Sequence, residues 1–209
     1  MRQYTDLIWQ RAKWGGFATK FLKFGEKTAA KYADELIVLS EGTRDYFKEA
    51  YGRETVFIPN GIDVQNEKKA DIITKKYGLE KDGYILFLAR IVPEKGLHYL
   101  IDAFMQTDTD KKLVIAGGVS HSGEYAKQIH DMAKDDRIIF TGFVEGDELW
   151  ELYYNCRMYV LPSDVEGMPI SLLEAMACGC ECLVSDIDTA KNVVGEYGYT
   201  FKKSDVNDH

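Results

Sequence analysis

Short apolar runs alternate with amphipathic segments from Tyr84 onward, and this alternation limits the possible folds more than any other feature of the chain. The run 84–89 (YILFLA) is apolar throughout except for the tyrosine hydroxyl, which is typical of a strand that a parallel sheet buries on both faces. Strands are predicted at 84–89, 112–116, 137–141, 157–161, 181–185 and 198–201, and helices near 96–106, 122–134, 146–155, 169–178 and 189–194. This order predicts an α/β fold with a doubly wound, Rossmann-like parallel sheet and flanking helices.

The segment 164–179 (DVEGMPISLLEAMACG) combines a glycine-containing turn, a helix start and two glutamates eight residues apart. Pro169 suits the first helical position, and Gly179 lies where helices commonly stop. The helix between them is apolar around most of its circumference, which predicts that it is buried. Its amino terminus offers free N–H groups and a partial positive charge to an anion. Glu174, in so apolar a helix, needs a hydrogen-bonding partner.

Two cations five residues apart, Arg90 and Lys95, follow the first predicted strand of the sheet. Loops at the carboxyl ends of strands are where open α/β sheets bind ligands. The tight turn 116–118 (AGG) ends the next strand and lets backbone approach a ligand, although it lacks a full G-x-G-x-x-G pattern.

These segments together resemble the family 4 glycosyltransferases, retaining enzymes with the two-domain GT-B fold. Glu166 and Glu174 match the E-x7-E signature of that family. Arg90, Lys95 and Gly96 match its G-R-x4-K-G element, in which Ala89 replaces the first glycine. The resemblance implies a transferase that moves a sugar from a nucleotide-diphosphate sugar to a glycan or lipid-linked acceptor.

Glycosyl transfer builds negative charge on the leaving diphosphate, and fixed cations with a helix amino terminus can neutralise that charge without a metal. The resemblance assigns this role to Arg90, Lys95 and the N–H groups around Gly167 and Met168. An arginine suits bidentate phosphate contacts, whereas a lysine acts as a compact point charge. We therefore predict that no cofactor takes part and that the nucleotide-diphosphate sugar is a substrate.

The two signature glutamates have separate roles by the same resemblance. Glu166 contacts hydroxyls of the donor sugar and joins Arg90 and Lys95 as a catalytic residue, while Glu174 accepts the ribose hydroxyls. The segment 137–144 resembles the strand and loop beside the nucleotide base, where contacts are largely through backbone. The remaining predicted donor-binding residues are Gly142, Phe143, Val144 and Pro169.

Two D-x-D strings are candidate metal ligands. Residues 108–110 lie in a polar connection on the side opposite the ligand face, which predicts solvent exposure, whereas 186–188 follow a strand at the ligand-binding end. Because cations already neutralise the diphosphate, we predict no metal at either string.

The spacing of Cys178, Cys180 and Cys182 is closer than that of the usual zinc-binding cysteine pairs. These cysteines and Cys156 are interpreted as small buried residues of a cytoplasmic protein.

The first third of the chain is organised differently. A helix is predicted at 20–33 and strands at 36–39 and 55–58, with Ser40 capping a further helix. Residues 59–63 (PNGID) resemble the junction between the two GT-B domains. We therefore predict that 1–62 is the end of the acceptor-side domain and 63–209 the nucleotide-sugar-binding domain without its last helices, so that the chain is truncated at both ends relative to the family. Exposed apolar faces on such a remnant predict self-association.

The net charge of −8 argues against nucleic acid as a partner. Residues 1–31 differ, since seven Lys/Arg against two Asp/Glu give +5 and leave −13 for the remainder. Their aromatic residues (Trp9, Trp14, Phe17, Phe21 and Phe24) interleave with Arg11, Lys13, Lys20 and Lys23. This mixture is typical of a peripheral contact with the inner face of a membrane. The interpretation that the sequence favours is instead a helix whose aromatic face packs on the missing half of its domain.

Three functions fit these features. The first is the donor-binding part of a metal-independent glycosyltransferase. The second is a nucleotide-binding or interaction module without transfer activity, and the third is a GT-B nucleotide-sugar epimerase. The PNGID junction with both signatures favours the transferase over the epimerase, but transfer and binding alone require the same residues. No histidine is assigned to catalysis, although His98 follows the cationic loop closely enough to approach a ligand.

Overall fold

The computed structural model describes residues 2–4, 16–63, 65–119 and 123–208 of the 209-residue chain. The chain divides into two compact units. The first consists of Met1–Gly61 and Val165–Ile170, and the second of Ile62–Asp164 and Ser171–His209. The boundary at Gly61 is one residue from the predicted division. Residues 165–170, which the sequence placed with the nucleotide-sugar-binding domain, belong to the first unit.

The second unit is built on a six-stranded parallel sheet. Its strands are β4 (Tyr84–Leu88), β5 (Lys112–Ala116), β6 (Ile138–Gly142), β7 (Met158–Leu161), β8 (Cys182–Ser185) and β9 (Tyr199–Phe201), in the order β6-β5-β4-β7-β8-β9. Its helices are α3 (Ile72–Tyr77), α4 (Leu97–Met105), α5 (Gly123–Met132), α6 (Gly146–Asn155), α7 (Ile170–Ala177) and α8 (Asp188–Val194). The predicted strands and helices of this region are all present, with ends within two residues, whereas α3 and the 3-10 helices Pro93–Lys95 and Val206–Asp208 were not predicted.

Both faces of the sheet are covered, as the continuous apolar runs predict. Successive residues of a strand point to opposite faces, and in β4 the fully buried Leu86 and Phe87 belong to two different core clusters. The Leu86 cluster includes residues of α6, α7 and α8, whereas the Phe87 cluster includes residues of α4 and α5. Burial of both faces is therefore what the apolar run of β4 encodes.

The first unit contains a three-stranded parallel sheet in the order β1-β2-β3. Its elements are β1 (Arg2–Tyr4), α1 (Gly16–Tyr32), β2 (Leu36–Val38), α2 (Glu41–Tyr51) and β3 (Val56–Phe57). The predicted cap of α2 is confirmed, because the backbone N–H of Thr43 donates to the Ser40 hydroxyl at 3.2 Å. Glu26 on α1 is buried and accepts hydrogen bonds of 2.7 Å from the hydroxyls of Tyr46 and Tyr51.

Candidate functional site

The strand order of the second unit reverses between β4 and β7. The chain runs from β4 through β5 to β6 on one side of the sheet, and then from β7 through β8 to β9 on the other. In open parallel sheets, the carboxyl ends of the strands at such a reversal form the ligand-binding crevice. Arg90 and Lys95 follow β4 directly, so the fold places both predicted cations at this switch point.

The loop after β4 presses closely on the segment after β7. A 3-10 turn, Pro93–Lys95, ends at Gly96, whose φ is +67°. A Cβ atom on Gly96 would lie 1.9 Å from the Pro162 carbonyl oxygen, so only glycine fits here. The backbone N–H of Asp164 donates to the carbonyl of Glu94 at 2.9 Å. The cationic loop is thus tied to the segment after β7 by a hydrogen bond and passes close to that segment at Gly96.

The two cations differ in how far they are exposed. Arg90 is exposed, whereas Lys95 is half-buried within the turn that Gly96 closes. A half-buried lysine on a constrained loop has fewer conformations open to it before a ligand arrives, and an exposed arginine can reorient to make bidentate contacts. The arrangement suits an anionic ligand with more than one group to bind.

The loops after β5 and β6 join the same edge of the sheet. Gly117 has a φ of +150°, and a Cβ there would lie 1.8 Å from the Ala89 carbonyl oxygen. Its N–H donates to the Gly142 carbonyl at 2.8 Å. Phe143 is 74% exposed, whereas Val144 packs into the core. Any contact of Val144 with a nucleotide base must therefore come from its backbone.

The helix α7 is less buried than the sequence predicted. Only Leu172 and Ala175 are buried, and Ile170 at its first turn is 51% exposed. The prediction of burial around the whole helix is wrong, because α7 packs on the core along one face while its other apolar side chains are partly accessible. The buried Pro169 immediately precedes the helix, and Gly179 follows its end with a φ of +76°.

Glu174 has the partner that its position requires. It is half-buried on α7, and its Oε2 accepts a hydrogen bond of 3.0 Å from the hydroxyl of Tyr153 on α6. Burial raises the pKa of Glu174, and the hydrogen bond from Tyr153 opposes that rise. Burial also raises the pKa of Tyr153, which keeps its hydroxyl a donor. Sequence reasoning missed Tyr153, since nothing in its local pattern marks it as more than an apolar position.

In the first unit, Asn60 is bound to the segment that carries the first signature glutamate. Its side-chain amide donates to the Met168 carbonyl at 3.2 Å, and its backbone N–H lies 3.1 Å from the Met168 sulfur. Glu166, Gly167 and Met168 are half-buried. Asn60 thus holds the backbone two residues from Glu166. An Asn-Gly dipeptide predicts only a turn, so the sequence did not predict this contact.

The candidate metal ligands do not converge. Asp108 and Asp110 are exposed, as predicted, and Asp186 accepts a hydrogen bond of 2.9 Å from the backbone N–H of Lys203. Over residues 16–63, 65–119 and 123–207, no group of three or more His, Cys, Asp or Glu side chains is arranged to hold a metal ion. Metal-independence stays a prediction from the chemistry of the cations.

The four cysteines lie at the opposite edge of the sheet from the cationic loop. Cys156 and Cys182 are buried as predicted, but Cys178 and Cys180 are only half-buried. The sulfurs of Cys156 and Cys180 are 3.6 Å apart. Cys156, Cys178 and Cys180 line an open cleft of about 380 Å³, with Lys81 and Arg157 among its other lining residues. Because these residues precede strands, the cleft is separate from the switch point.

His98, two residues after Gly96, has its Nδ1 2.8 Å from the Tyr125 hydroxyl. Burial lowers the pKa of His98, although the nearby Asp164 and Asp102 oppose this. The imidazole therefore connects α4 to α5. His121 and His209, which the sequence left without a role, lie outside the described residues.

Comparison with protein families finds two matches. The family described as glycosyl transferases group 1 matches residues 69–208, about two thirds of the chain. A domain of unknown function, DUF1972, matches residues 4–63.

Similar proteins include the serotype-specific mannosyltransferase WbdA of Escherichia coli, 34% identical over 140 residues, which are 64% of this chain and 17% of that protein. The GDP-mannose-dependent alpha-(1-6)-phosphatidylinositol monomannoside mannosyltransferase of Mycolicibacterium smegmatis is 28% identical over 198 residues, 84% of this chain and 50% of that protein. A Campylobacter jejuni enzyme, N,N'-diacetylbacillosaminyl-diphospho-undecaprenol alpha-1,3-N-acetylgalactosaminyltransferase, is 27% identical over 173 residues, with 78% and 45% covered. The chain spans at most half the length of these three relatives.

Solved structures match along nearly the whole chain. Sucrose-phosphate synthase from Thermosynechococcus elongatus superposes with a TM-score of 0.82 at 22% identity, covering 99% of this chain and 55% of that one. Anabaena HepE in complex with UDP and glucose also gives a TM-score of 0.82 at 22% identity, with 99% and 59% covered. At this identity the likeness concerns the fold, and it confirms the predicted GT-B-type α/β architecture.

Proposed function

Since this chain belongs to the glycosyl transferases group 1 family, we propose that it is the donor-binding part of a retaining, metal-independent glycosyltransferase. The observation that carries the proposal is the position of Arg90 and Lys95. Both lie on the loop at the switch point of the sheet, and the backbone hydrogen bond from Asp164 to the Glu94 carbonyl ties that loop to the segment after β7. The fold family alone would not select a ligand, because one fold hosts many functions.

The proposed reaction breaks the bond between the anomeric carbon of the donor sugar and the nucleotide diphosphate. Arg90 and Lys95 neutralise the negative charge that builds on the diphosphate. Groups oriented before the reaction stabilise such charge without reorganising during the step. This division of roles needs no metal.

The two signature glutamates bind hydroxyl groups in this proposal. Glu174 uses Oε2 for Tyr153 and offers Oε1 to the ribose hydroxyls. A carboxylate that is half-buried and already fixed by one donor accepts further hydrogen bonds in a defined direction. Glu166 contacts the donor sugar, and the hydrogen bond from Asn60 to the Met168 carbonyl supports the orientation of that segment.

The names of the relatives support a proposal about the class of the donor and of the acceptor. One is named for its dependence on GDP-mannose, and HepE was crystallised with UDP and glucose. We therefore propose a nucleotide-diphosphate sugar with UDP or GDP as the donor class. The named acceptors of two relatives are lipid-linked, a phosphatidylinositol mannoside and a diphospho-undecaprenol sugar. A glycan or lipid-linked acceptor, met at the inner face of a membrane, completes the proposal.

Titration calorimetry with UDP, GDP and ADP tests the donor site. We expect one nucleotide to bind, and Arg90→Ala and Glu174→Ala each to weaken binding by about tenfold or more, because hydrogen bonds to charged groups contribute roughly 1.5–3 kcal/mol. Lys111→Ala and Glu80→Ala are matched controls, since Lys111 precedes β5 and Glu80 precedes β4, at the opposite edge of the sheet.

Equal affinities in all four variants would overturn the assignment of Arg90 and Glu174. A folded protein that binds none of the three nucleotides would overturn the donor site itself. Nucleotide binding without sugar transfer to any lipid-linked or glycan acceptor would instead favour the nucleotide-binding module.

A further inference from the structure

The helix α1 presents three phenylalanines to solvent. Phe17, Phe21 and Phe24 are 87%, 69% and 68% exposed. At about 100° per residue, they fall within one arc of about 60°. The buried residues of α1 are Glu26, Ala29 and Ala30, and they lie on the opposite face. The phenylalanines therefore do not belong to the core of the first unit.

The charge beside this aromatic face has one sign. Lys20, Lys23, Lys27 and Lys31 are all exposed, and at about 100° per residue they occupy an arc of roughly 80° next to the phenylalanines. The helix contains one acidic residue, Glu26, which is buried under the hydroxyls of Tyr46 and Tyr51. The exposed surface of α1 thus carries four positive charges and no carboxylate.

We propose that this surface, Phe17, Phe21 and Phe24 with the four lysines, binds an anionic lipid bilayer. A helix with aromatic residues on one face and lysines beside them lies in the interface plane, where the rings enter the headgroup–acyl boundary and the ammonium groups meet lipid phosphates. Lysine stems extend along such a boundary while their charges stay in water. Phosphatidylglycerol supplies the anionic headgroup that the geometry requires.

The lysines decide between a bilayer and a protein surface. A face that only packed on another part of a protein would need apolar complementarity, but it would not need a border of four exposed lysines on a helix whose own acidic residue, Glu26, is buried. An anionic bilayer matches both the rings and the charge. No helix among the described residues is long and apolar enough to cross a membrane, so α1 would lie on the bilayer. Trp9, Arg11, Lys13 and Trp14, which the sequence included in this contact, lie outside the described residues.

The membrane proposal rests on the proposed function in one respect: a lipid-linked acceptor would explain why the protein approaches a membrane. Sedimentation with vesicles of phosphatidylcholine, alone or mixed with phosphatidylglycerol, tests it directly on the full chain. We expect binding to the mixed vesicles only, weakened by high salt because exposed charges are screened. Phe21→Ser/Phe24→Ser and Lys20→Gln/Lys27→Gln should each weaken that binding by about tenfold or more.

Control variants remove an exposed aromatic ring or two exposed lysines outside α1. Tyr197→Ser removes an aromatic ring that is 79% exposed in the second unit, and Lys127→Gln/Lys134→Gln removes two exposed lysines. Both should bind vesicles as the unchanged chain does. Failure of the folded, unchanged chain to sediment with anionic vesicles would overturn the proposal, as would equal binding by all variants. A lower oligomeric mass for Phe21→Ser/Phe24→Ser, without vesicle binding by the unchanged chain, would identify a second copy as the occupant.

Nucleotide titration of the same variants separates the two proposals. The α1 variants should keep the nucleotide affinity of the unchanged chain. If the unchanged chain binds a nucleotide but no vesicles, only the membrane proposal is overturned. If it binds vesicles but no nucleotide, only the donor-site proposal is overturned.

Discussion

The hydroxyl of Tyr153 on α6 donates a hydrogen bond of 3.0 Å to Oε2 of Glu174 on α7. Burial raises the pKa of this carboxyl, so the folded protein holds its proton more tightly than the unfolded chain does. Its ionisation therefore opposes folding, and stability falls as the pH rises above the ordinary glutamate pKa. The residue is retained at a cost to stability, as expected of a binding carboxylate.

Glu174→Gln should separate stability from binding. The amide keeps an acceptor for Tyr153 without a charge, so we expect a higher melting temperature at neutral pH and a difference that shrinks to zero as the pH falls below the ordinary glutamate pKa of about 4.3. Nucleotide affinity should fall at the same time. Thermal melts across this pH range, with calorimetric titration, measure both effects. A variant less stable than the unchanged chain at neutral pH would contradict the role of burial.

Tyr153→Phe should destabilise the second unit by about 1–3 kcal/mol, because it leaves a half-buried carboxylate without its donor. Urea unfolding measures the change. Tyr197→Phe is the control, since Tyr197 is 79% exposed and its change should be within about 0.5 kcal/mol of zero. Equal stability of the two variants would mean that the Tyr153 hydroxyl contributes nothing to the fold.

Gly96→Ala should disturb the cationic loop. A methyl group there would lie 1.9 Å from the Pro162 carbonyl oxygen at a φ of +67°, and we expect a loss of about 1–3 kcal/mol together with weaker nucleotide binding as Lys95 moves. Gly42→Ala is the control, because Gly42 lies in α2 with open space around it. It should raise stability by up to about 1 kcal/mol. Unchanged nucleotide affinity in Gly96→Ala would show that the loop geometry does not matter for binding.

Asn60→Ala should affect the donor sugar more than the nucleotide. It removes the hydrogen bond to the Met168 carbonyl, 3.2 Å long, which holds the segment of Glu166 and Gly167. We expect a loss of about 1 kcal/mol in stability and a larger loss of affinity for the nucleotide-diphosphate sugar than for the free nucleotide. Parallel titrations with both ligands measure the difference. The same loss for both would argue that Asn60 supports the fold without orienting Glu166.

Alkylation of the cleft cysteines should depend steeply on pH. Burial raises the pKa of the Cys178 thiol to about 11, and only the thiolate reacts. Iodoacetamide labelling followed by mass spectrometry should therefore be far slower than for glutathione at neutral pH, and should rise about tenfold per pH unit towards pH 11. Cys182, whose pKa burial raises to about 12, should react still more slowly. Rapid labelling of Cys178 at neutral pH would contradict this environment.

Local pattern was enough to predict the six strands of the second unit and five of its six α-helices. A strand that is buried on both faces is apolar at nearly every position, and in a helix that packs on a sheet the apolar residues recur about every 3.6 residues. Both patterns can therefore be recognised without knowing which elements pack against the segment. The place of Arg90 and Lys95 follows in the same way, because a loop that ends a parallel strand lies at the carboxyl edge of the sheet. The exposure of Phe17, Phe21 and Phe24 on α1 could not be predicted in this way, since the presence of aromatic residues does not show which face of a helix packs on the core.

Apolar composition alone misjudged α7. Apolar composition indicates that burial of the helix would be favourable, but it does not say how many of its faces are covered by other elements. In the structure Ile170 remains exposed. The pairing of Tyr153 with Glu174, and of Asn60 with Met168, joins residues 21 and 108 positions apart. The sequence by itself determined the strands, the helices and the cationic loop, because these depend on local periodicity. Only the tertiary structure decided which side chains hold the two signature segments, since those contacts exist only once distant parts of the chain have packed together.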